Sequence, residues 1–183
     1  MKIVLGVTGA SGIQYAVCLA RELRKSGADL SIAVTDSAKK VAEYECREAL
    51  AEFKKCGRVF SGSDIDAPFA SGSAGFDAVV VCPCSMKTAA AIACGFSYNS
   101  VTRAADVAIK EGKKLVVVPR EMPMSEIHLE NLLKLARIGA IVIPAAPGFY
   151  HQPKKVGDLV NHVVGKVLDS LGVKHELFKR WGS

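Results

Sequence analysis

Ile3-Val4-Leu5-Gly6-Val7-Thr8-Gly9-Ala10-Ser11-Gly12, followed by Ile13, Ala16, Val17, Leu19, Ala20 and Leu23 at helical spacing, decides the fold of this chain. A short apolar run closed by glycines reads as a buried strand and a tight turn, and the periodic residues after it read as a helix. The same pattern recurs along the sequence. Leu30 to Val34 precedes a helical stretch from Ala38 to Cys46, and Ala78 to Cys82 precedes one from Met86 to Cys94. Leu115 to Val118 precedes another from Ile127 to Ile138. Ala140 to Ile143 adds a further strand, and Val156 to Leu171 closes the chain with a helix bearing Val160, Val163, Val164, Val167 and Leu168. Strands that are continuously apolar, rather than alternating, are buried on both faces. The expectation is therefore an α/β protein, with a flavodoxin-like or Rossmann-like parallel sheet and helices on both faces.

A chain of 183 residues, half of them hydrophobic, is of the size of a single domain, and residues 1–183 read as one unit. Asn99 or Ser100 can cap a helix running through Arg103 to Lys110, and Gly112 stops it before the Leu115 strand. Ser61 to Gly75 is rich in Gly, Ser, Pro and Asp, and reads as an irregular functional loop.

The formal charge of +6 admits nucleic acid, an anionic membrane or a phosphorylated ligand. The basic residues occur as scattered pairs such as Lys39-Lys40 and Lys113-Lys114, without aromatic interleaving, which argues against nucleic acid. The apolar run at Ile3 to Val7 is too short for the core of a secretion signal, so no membrane association and a cytoplasmic location are expected. The six cysteines lack disulfide-framework spacing, and Cys82-Pro83-Cys84 is too tight for a Cys-x-x-Cys site. Cys82 and Cys84 read as small hydrophobes at the end of a strand. His128, His151, His162 and His175 are too scattered to suggest metal ligands, and no metal is expected.

Open parallel sheets bind ligands beyond the carboxyl ends of their strands, which directs attention to the residues just after each apolar run. After the first strand, Thr8-Gly9-Ala10-Ser11-Gly12 offers close backbone approach, a hydroxyl and a helix N-terminus suited to a phosphate. Its Gly6-x-x-Gly9-x-x-Gly12 spacing departs from the dinucleotide fingerprint, although Asp36 stands where a ribose-binding acid would. After the third clear strand, Ser85-Met86-Lys87-Thr88 puts a cation in the first turn of a helix, where the dipole disfavours it. Lys87 therefore either faces solvent or has an anion nearby. Arg120 directly follows the Leu115 strand, and the adjacent Glu121 is either its ion-pair partner or an acid/base group.

Gly9-Ala10-Ser11-Gly12, Asp66-Ala67-Pro68, Ala70-Ser71-Gly72-Ser73, Pro83-Cys84-Ser85-Met86-Lys87-Thr88, Arg103-Ala104-Ala105-Asp106, Pro119-Arg120-Glu121 and Gly148-Phe149-Tyr150 together resemble the UbiX flavin prenyltransferase family, in order and spacing, from Lys2 to Trp181. The resemblance implies a homododecamer that joins a dimethylallyl group from dimethylallyl monophosphate to N5 and C6 of reduced FMN, giving the prenylated FMN used by UbiD-type decarboxylases. It implies FMN contacts from Gly9, Ala10, Ser11, Thr35, Ser85, Met86, Lys87, Thr88 and Arg103. It implies a prenyl-phosphate pocket of Lys110, Arg120, Glu121, Tyr150, Lys166 and Trp181, with several of these supplied by neighbouring subunits. Glu45 and Ser11 join Lys110, Arg120 and Glu121 as catalytic candidates. The sequence departs from the family at Gly148, where Ala is usual, and at Lys166, where many relatives carry Arg.

The residue types suit that chemistry. Breaking an allylic carbon–oxygen bond leaves negative charge on phosphate, which Lys110, Arg120 and Lys166 can stabilise without a metal ion. The allyl cation needs a dry, π-rich pocket, to which Tyr150 or Trp181 can contribute. Proton removal at C6 falls to Glu45, Glu121 or the departing phosphate. Two other readings share the architecture. An FMN-dependent cysteine decarboxylase relies on a histidine in the loop before the third clear strand, and residues 61–77 contain none. A non-catalytic flavin-binding partner of a decarboxylase is separated from the enzyme only by chemistry.

Overall fold

The computed structural model describes residues 1–182. Six parallel strands form one sheet: β1 (Lys2–Val7), β2 (Asp29–Val34), β3 (Arg58–Ser61), β4 (Ala78–Cys84), β5 (Lys114–Pro119) and β6 (Ile141–Val142). Their spatial order is β3-β2-β1-β4-β5-β6. The helices are α1 (Ile13–Lys25), α2 (Asp36–Glu45), α3 (Ala49–Cys56), α4 (Met86–Ala93), α5 (Ser100–Lys110), α6 (Glu126–Arg137) and α7 (Val156–Leu171). The sheet and the four expected strand–helix units are as the periodicity predicts. Strand β3 and helix α3 lie between the predicted elements and were not anticipated.

Alternation along each strand divides the core in two, because successive side chains point to opposite faces. Leu5 and Val7 of β1, Val80 and Cys82 of β4 and Val116 of β5 pack against α1, α2, α3 and α7. Val4, Val79, Val81, Cys84 and Val117 pack against α4, α5 and α6 on the other side. Burying both faces is what makes the strands uniformly apolar. Cys82 and Cys84 are almost fully buried, and burial pushes both thiols up, that of Cys84 to about 12. They behave as core residues. Among the described residues, no helix is long and apolar enough to cross a membrane.

The chain leaves β1 toward one edge through β2 and β3, and toward the other through β4, β5 and β6, so the strand order reverses between β1 and β4. A crevice forms beyond the strand ends at such a point. Its floor is fixed by one buried hydroxyl. Thr8 Oγ1 donates to the Pro83 carbonyl at 2.8 Å and accepts from the Ser85 amide at 2.8 Å, joining the end of β1 to the end of β4.

The irregular stretch after β3 contains two 3-10 turns, Pro68–Ala70 and Gly72–Ala74. It is anchored by the buried Phe69, whose ring meets Phe60 edge-on at 5.3 Å. Arg103 Nε donates to the Ala70 carbonyl at 2.9 Å, tying this loop to α5.

Gly9 is the tightest point of the crevice wall, since a Cβ there would lie 2.4 Å from Ser37 Cβ. Gly9→Ala is expected to push the start of α2 outward and destabilise the fold by about 1–3 kcal/mol, as overpacking does. A melting temperature equal to that of the wild type would show that the wall yields freely.

Candidate active site

A cleft of about 430 Å³ opens beyond the ends of β1 to β4, with Thr8, Thr35, Gly62 and Ser85 marking the four strand ends. Three helices begin on it. Thr35 caps α2 by accepting from the Ala38 amide at 3.2 Å. Ser85 caps α4 by accepting from the Thr88 amide at 3.4 Å, and its hydroxyl lies 3.1 Å from that of Thr88. Asn99 caps α5 through a reciprocal pair with Thr102, as its sequence position predicts. Converging helix N-termini make this end of the sheet electropositive. Lys87 adds a full charge at the rim, with its ammonium 5.3 Å from the centre of the Tyr98 ring. Asp36 also lines the cleft and pairs with Lys39 at 2.8 Å.

The start of α1 is arranged differently from the expectation. Glu45, at the end of α2, accepts from the amides of Gly12 at 2.8 Å and Ile13 at 3.1 Å, and its carboxylate is also hydrogen-bonded by Ser11. An intramolecular carboxylate thus takes the amides that the glycine turn was expected to offer to a phosphate. Gly12, with φ of 108°, supplies the left-handed conformation that turns these amides toward Glu45. Burial pushes the Glu45 carboxyl up. The hydrogen bonds from Ser11, Gly12 and Ile13, with the nearby Arg120 charge, outweigh it and hold the group below the ordinary carboxylate value. Arg120 acts electrostatically on both Glu45 and Tyr15. Its Nε is buried without a hydrogen-bond partner.

Of the residues named from sequence, Gly9, Thr35, Ser85, Lys87 and Thr88 line the cleft. Ser11, Glu45 and Arg120 form the charged group at the start of α1. Ala10 and Met86 point into the core, which leaves their backbones rather than their side chains for contact with a ligand. Three further residues are placed away from the cleft lining within one chain. The Arg103 guanidinium is engaged by the Ala70 carbonyl at 2.9 Å and by Asp106 at 2.7 Å, with its side chain still partly exposed. Lys110 ends α5, and α5 begins at the cleft, so the helix carries Lys110 about 15 Å away at ~1.5 Å per residue. Glu121 makes no ion pair with Arg120 among the described residues, and one oxygen of its carboxylate accepts from the Met122 amide at 3.0 Å.

Tyr150 and Trp181 meet edge-on at 5.4 Å beside a separate open hollow of about 380 Å³, also lined by His151, Lys179 and Arg180. Lys166 lies on the exposed flank of α7, 3.9 Å from Asp169. The tail that carries Trp181 is held on α7 through Asp169, which accepts from His175 Nε2 at 3.2 Å and from Arg180 at 2.8 Å. The histidines are less scattered than their numbers suggest. His151 and His162 stack at 4.9 Å, and Phe178 packs against His151, His162 and His175.

Sequence reasoning missed Ser37 and Tyr98 in the cleft and did not assign Thr8 a role, whereas Gly62 and Ser63 fall in the stretch read as a functional loop. The available signal was regular: Thr8, Thr35 and Ser85 are each the first polar residue after a buried strand.

Because the folded Glu45 carboxyl titrates below its ordinary value of 4.5, the clamp contributes fully above that pH and is lost as pH falls through the lowered value. Wild type is expected to melt higher than Glu45→Gln at neutral pH, with the gap closing under acid. A gap that persists unchanged at the lowest pH would contradict an ionised clamp.

Comparison with known proteins agrees with this architecture. The flavoprotein family model matches residues 1–168. The flavin prenyltransferase UbiX of Methanocaldococcus jannaschii is 50% identical over the full length of both chains. A dodecameric FMN-dependent UbiX-like decarboxylase from Escherichia coli O157:H7 superposes with a TM-score of 0.93 at 42% identity, covering 100% of both chains. AnUbiX in complex with FMN and dimethylallyl pyrophosphate gives 0.93 at 35% identity, covering 100% of this chain and 97% of that one. The cleft at the β1/β4 crossover, the hydroxyl-bearing strand ends and this full-length identity lead to one conclusion: the chain belongs to the flavoprotein family and, within it, to the UbiX flavin prenyltransferases.

Proposed function

We propose that this enzyme transfers a dimethylallyl group from dimethylallyl monophosphate to N5 and C6 of reduced FMN without a metal ion, and that the product serves UbiD-type decarboxylases in the cytoplasm. The observation that carries this reading is the hydroxyl-lined cleft on which α2, α4 and α5 begin, with the Ser11–Glu45–Arg120 group beside it. FMN supplies the electron-rich ring that captures the five-carbon fragment. The hydroxyls of Thr35, Ser85 and Thr88 suit its ribityl chain and phosphate, and Lys87 adds charge at the rim.

The donor loses its allylic carbon–oxygen bond, so phosphate departs with the electron pair, the N5 hydrogen leaves as a proton when the first bond forms, and ring closure adds a proton to the prenyl alkene and removes one from C6. Arg120 is suited to hold the departing phosphate, because its buried Nε has a hydrogen to donate and no partner within the chain. The proton from C6 falls to Glu121 or to the departing phosphate, because the hydrogen bonds from Ser11, Gly12 and Ile13 hold Glu45 ionised and make it a weak base. Its depressed basicity also makes it a fixed negative charge facing a developing cation. A dodecamer is supported by exposed large apolar side chains, among them Tyr44 (90% exposed) and Met122 (85%), which other copies would cover. Such an assembly would allow Lys110, Tyr150 and Trp181 of one chain to complete the cleft of another.

Anaerobic incubation with reduced FMN and dimethylallyl monophosphate is expected to raise the flavin mass by one C5 unit. An unchanged mass with both the monophosphate and the diphosphate would refute the reaction, and product from the diphosphate alone would correct the donor. Arg120→Ala is expected to lower turnover by about 10²–10³, as the loss of a transition-state donor does, while FMN is retained. Equal loss of FMN would make Arg120 a cofactor ligand. Thr8→Val removes two buried hydrogen bonds worth about 1 kcal/mol each and is expected to weaken FMN binding about tenfold or more by releasing Ser85. Unaltered FMN affinity would remove Thr8 from the site.

A further inference from the structure

His162 lies on α7 outside the cleft, almost completely buried, and both of its ring nitrogens are engaged. The Gly148 amide donates to Nδ1 at 3.1 Å. A nitrogen that accepts from an amide carries no proton, so the imidazole is neutral with its hydrogen on Nε2. Burial, with the neighbouring His151 and Lys166, also holds this imidazole below its ordinary value and keeps it neutral. Nε2 lies 3.1 Å from the Tyr150 hydroxyl oxygen. Nε2 is therefore the donor and Tyr150 Oη the acceptor, and the phenolic hydrogen remains available to a third group. Tyr150 is 44% exposed and borders the hollow that Lys179 and Arg180 also line. The ring that sets this polarity is itself fixed, stacked on His151 with an interplanar angle of 4° and flanked by Phe178 at 4.8 Å.

We propose that His162 is a positioning residue that fixes Tyr150 as an outward hydrogen-bond donor, so that the phenol binds a phosphate oxygen of the prenyl donor. The chain of contacts runs from the Gly148 amide through the imidazole to the phenol, and each link sets the direction of the next. The Gly148 turn thus determines the tautomer, and the tautomer determines what Tyr150 offers. This inference rests on the donor reading above.

The test is calorimetric titration of dimethylallyl monophosphate into the FMN-loaded protein, comparing wild type, His162→Phe, Tyr150→Phe and the double variant. Phenylalanine keeps the ring packing and deletes both nitrogens. His162→Phe is expected to weaken donor binding about tenfold to a hundredfold, the range for one hydrogen bond to a charged group, with FMN retention unchanged. In the Tyr150→Phe background it is expected to have no further effect, because the hydroxyl it orients is gone. Additive losses, or wild-type affinity in His162→Phe, would overturn the proposal. Should His162→Phe not fold, His162→Gln, whose amide reaches the phenol, is expected to bind the donor more tightly than His162→Asn, whose amide does not. Equal affinities of that pair would overturn it as well. Wild-type protein that binds no dimethylallyl monophosphate would refute the donor reading itself, and the role of His162 with it.

Discussion

The buried hydroxyl of Thr8 is the smallest part on which the rest of the molecule depends. Strands β1 and β4 part company at their carboxyl ends, where one chain turns into α1 and the other into α4, and the ladder between them stops. Backbone polar groups left there without partners would be costly in a site that also excludes water. Thr8 satisfies a carbonyl of β4 and the amide of Ser85 at once. It thereby fixes the cap of α4 relative to β1, and with it the hydroxyls of Ser85 and Thr88.

The same economy of backbone partners governs the turn after β1. A glycine-rich loop opening a helix is commonly an anion site, but here the anion is part of the protein. Glu45 closes the start of α1 and brings the end of α2 against it, so the amino ends left facing the cleft are those of α2, α4 and α5. The positive charge of Arg120 acts on the negative charge held at Glu45 without an ion pair between them among the described residues. That arrangement suits a reaction that separates a cation from an anion, because neither charge needs to move when the bond breaks.

The fold was legible wherever burial on both faces forces uniformity. The apolar runs in β1, β2, β4 and β5 admit no other reading, and Asn99 or Ser100 marked the start of α5, of which the structure selects Asn99 as the cap. Strand β3 escaped because it lies at the edge of the sheet and Arg58-Val59-Phe60-Ser61 is only partly buried. Helix α3 is barely two turns long and offers little periodicity. In the site, residues directly after strands could be named because topology places them, whereas residues on helix flanks could not. Lys110 is near Arg103 in sequence, yet helical rise carries it to the far end of the sheet. The His151–His162–His175 grouping depends on how a loop and a tail fold back on α7, and no spacing in the sequence announces it.

The tail bearing Trp181 is secured differently from the floor of the cleft. Thr8 and its partners are sealed in the core, whereas Asp169, Arg180 and Lys166 meet at a solvated surface where dissolved ions compete for the same charges. Ionic strength therefore acts directly on the hold that keeps the Trp181 tail on α7, whereas the buried Thr8 bonds are shielded from it. The aromatic contact between Trp181 and Tyr150 is thus open to the composition of the surrounding solution, while the join between β1 and β4 answers only to the packing of the core.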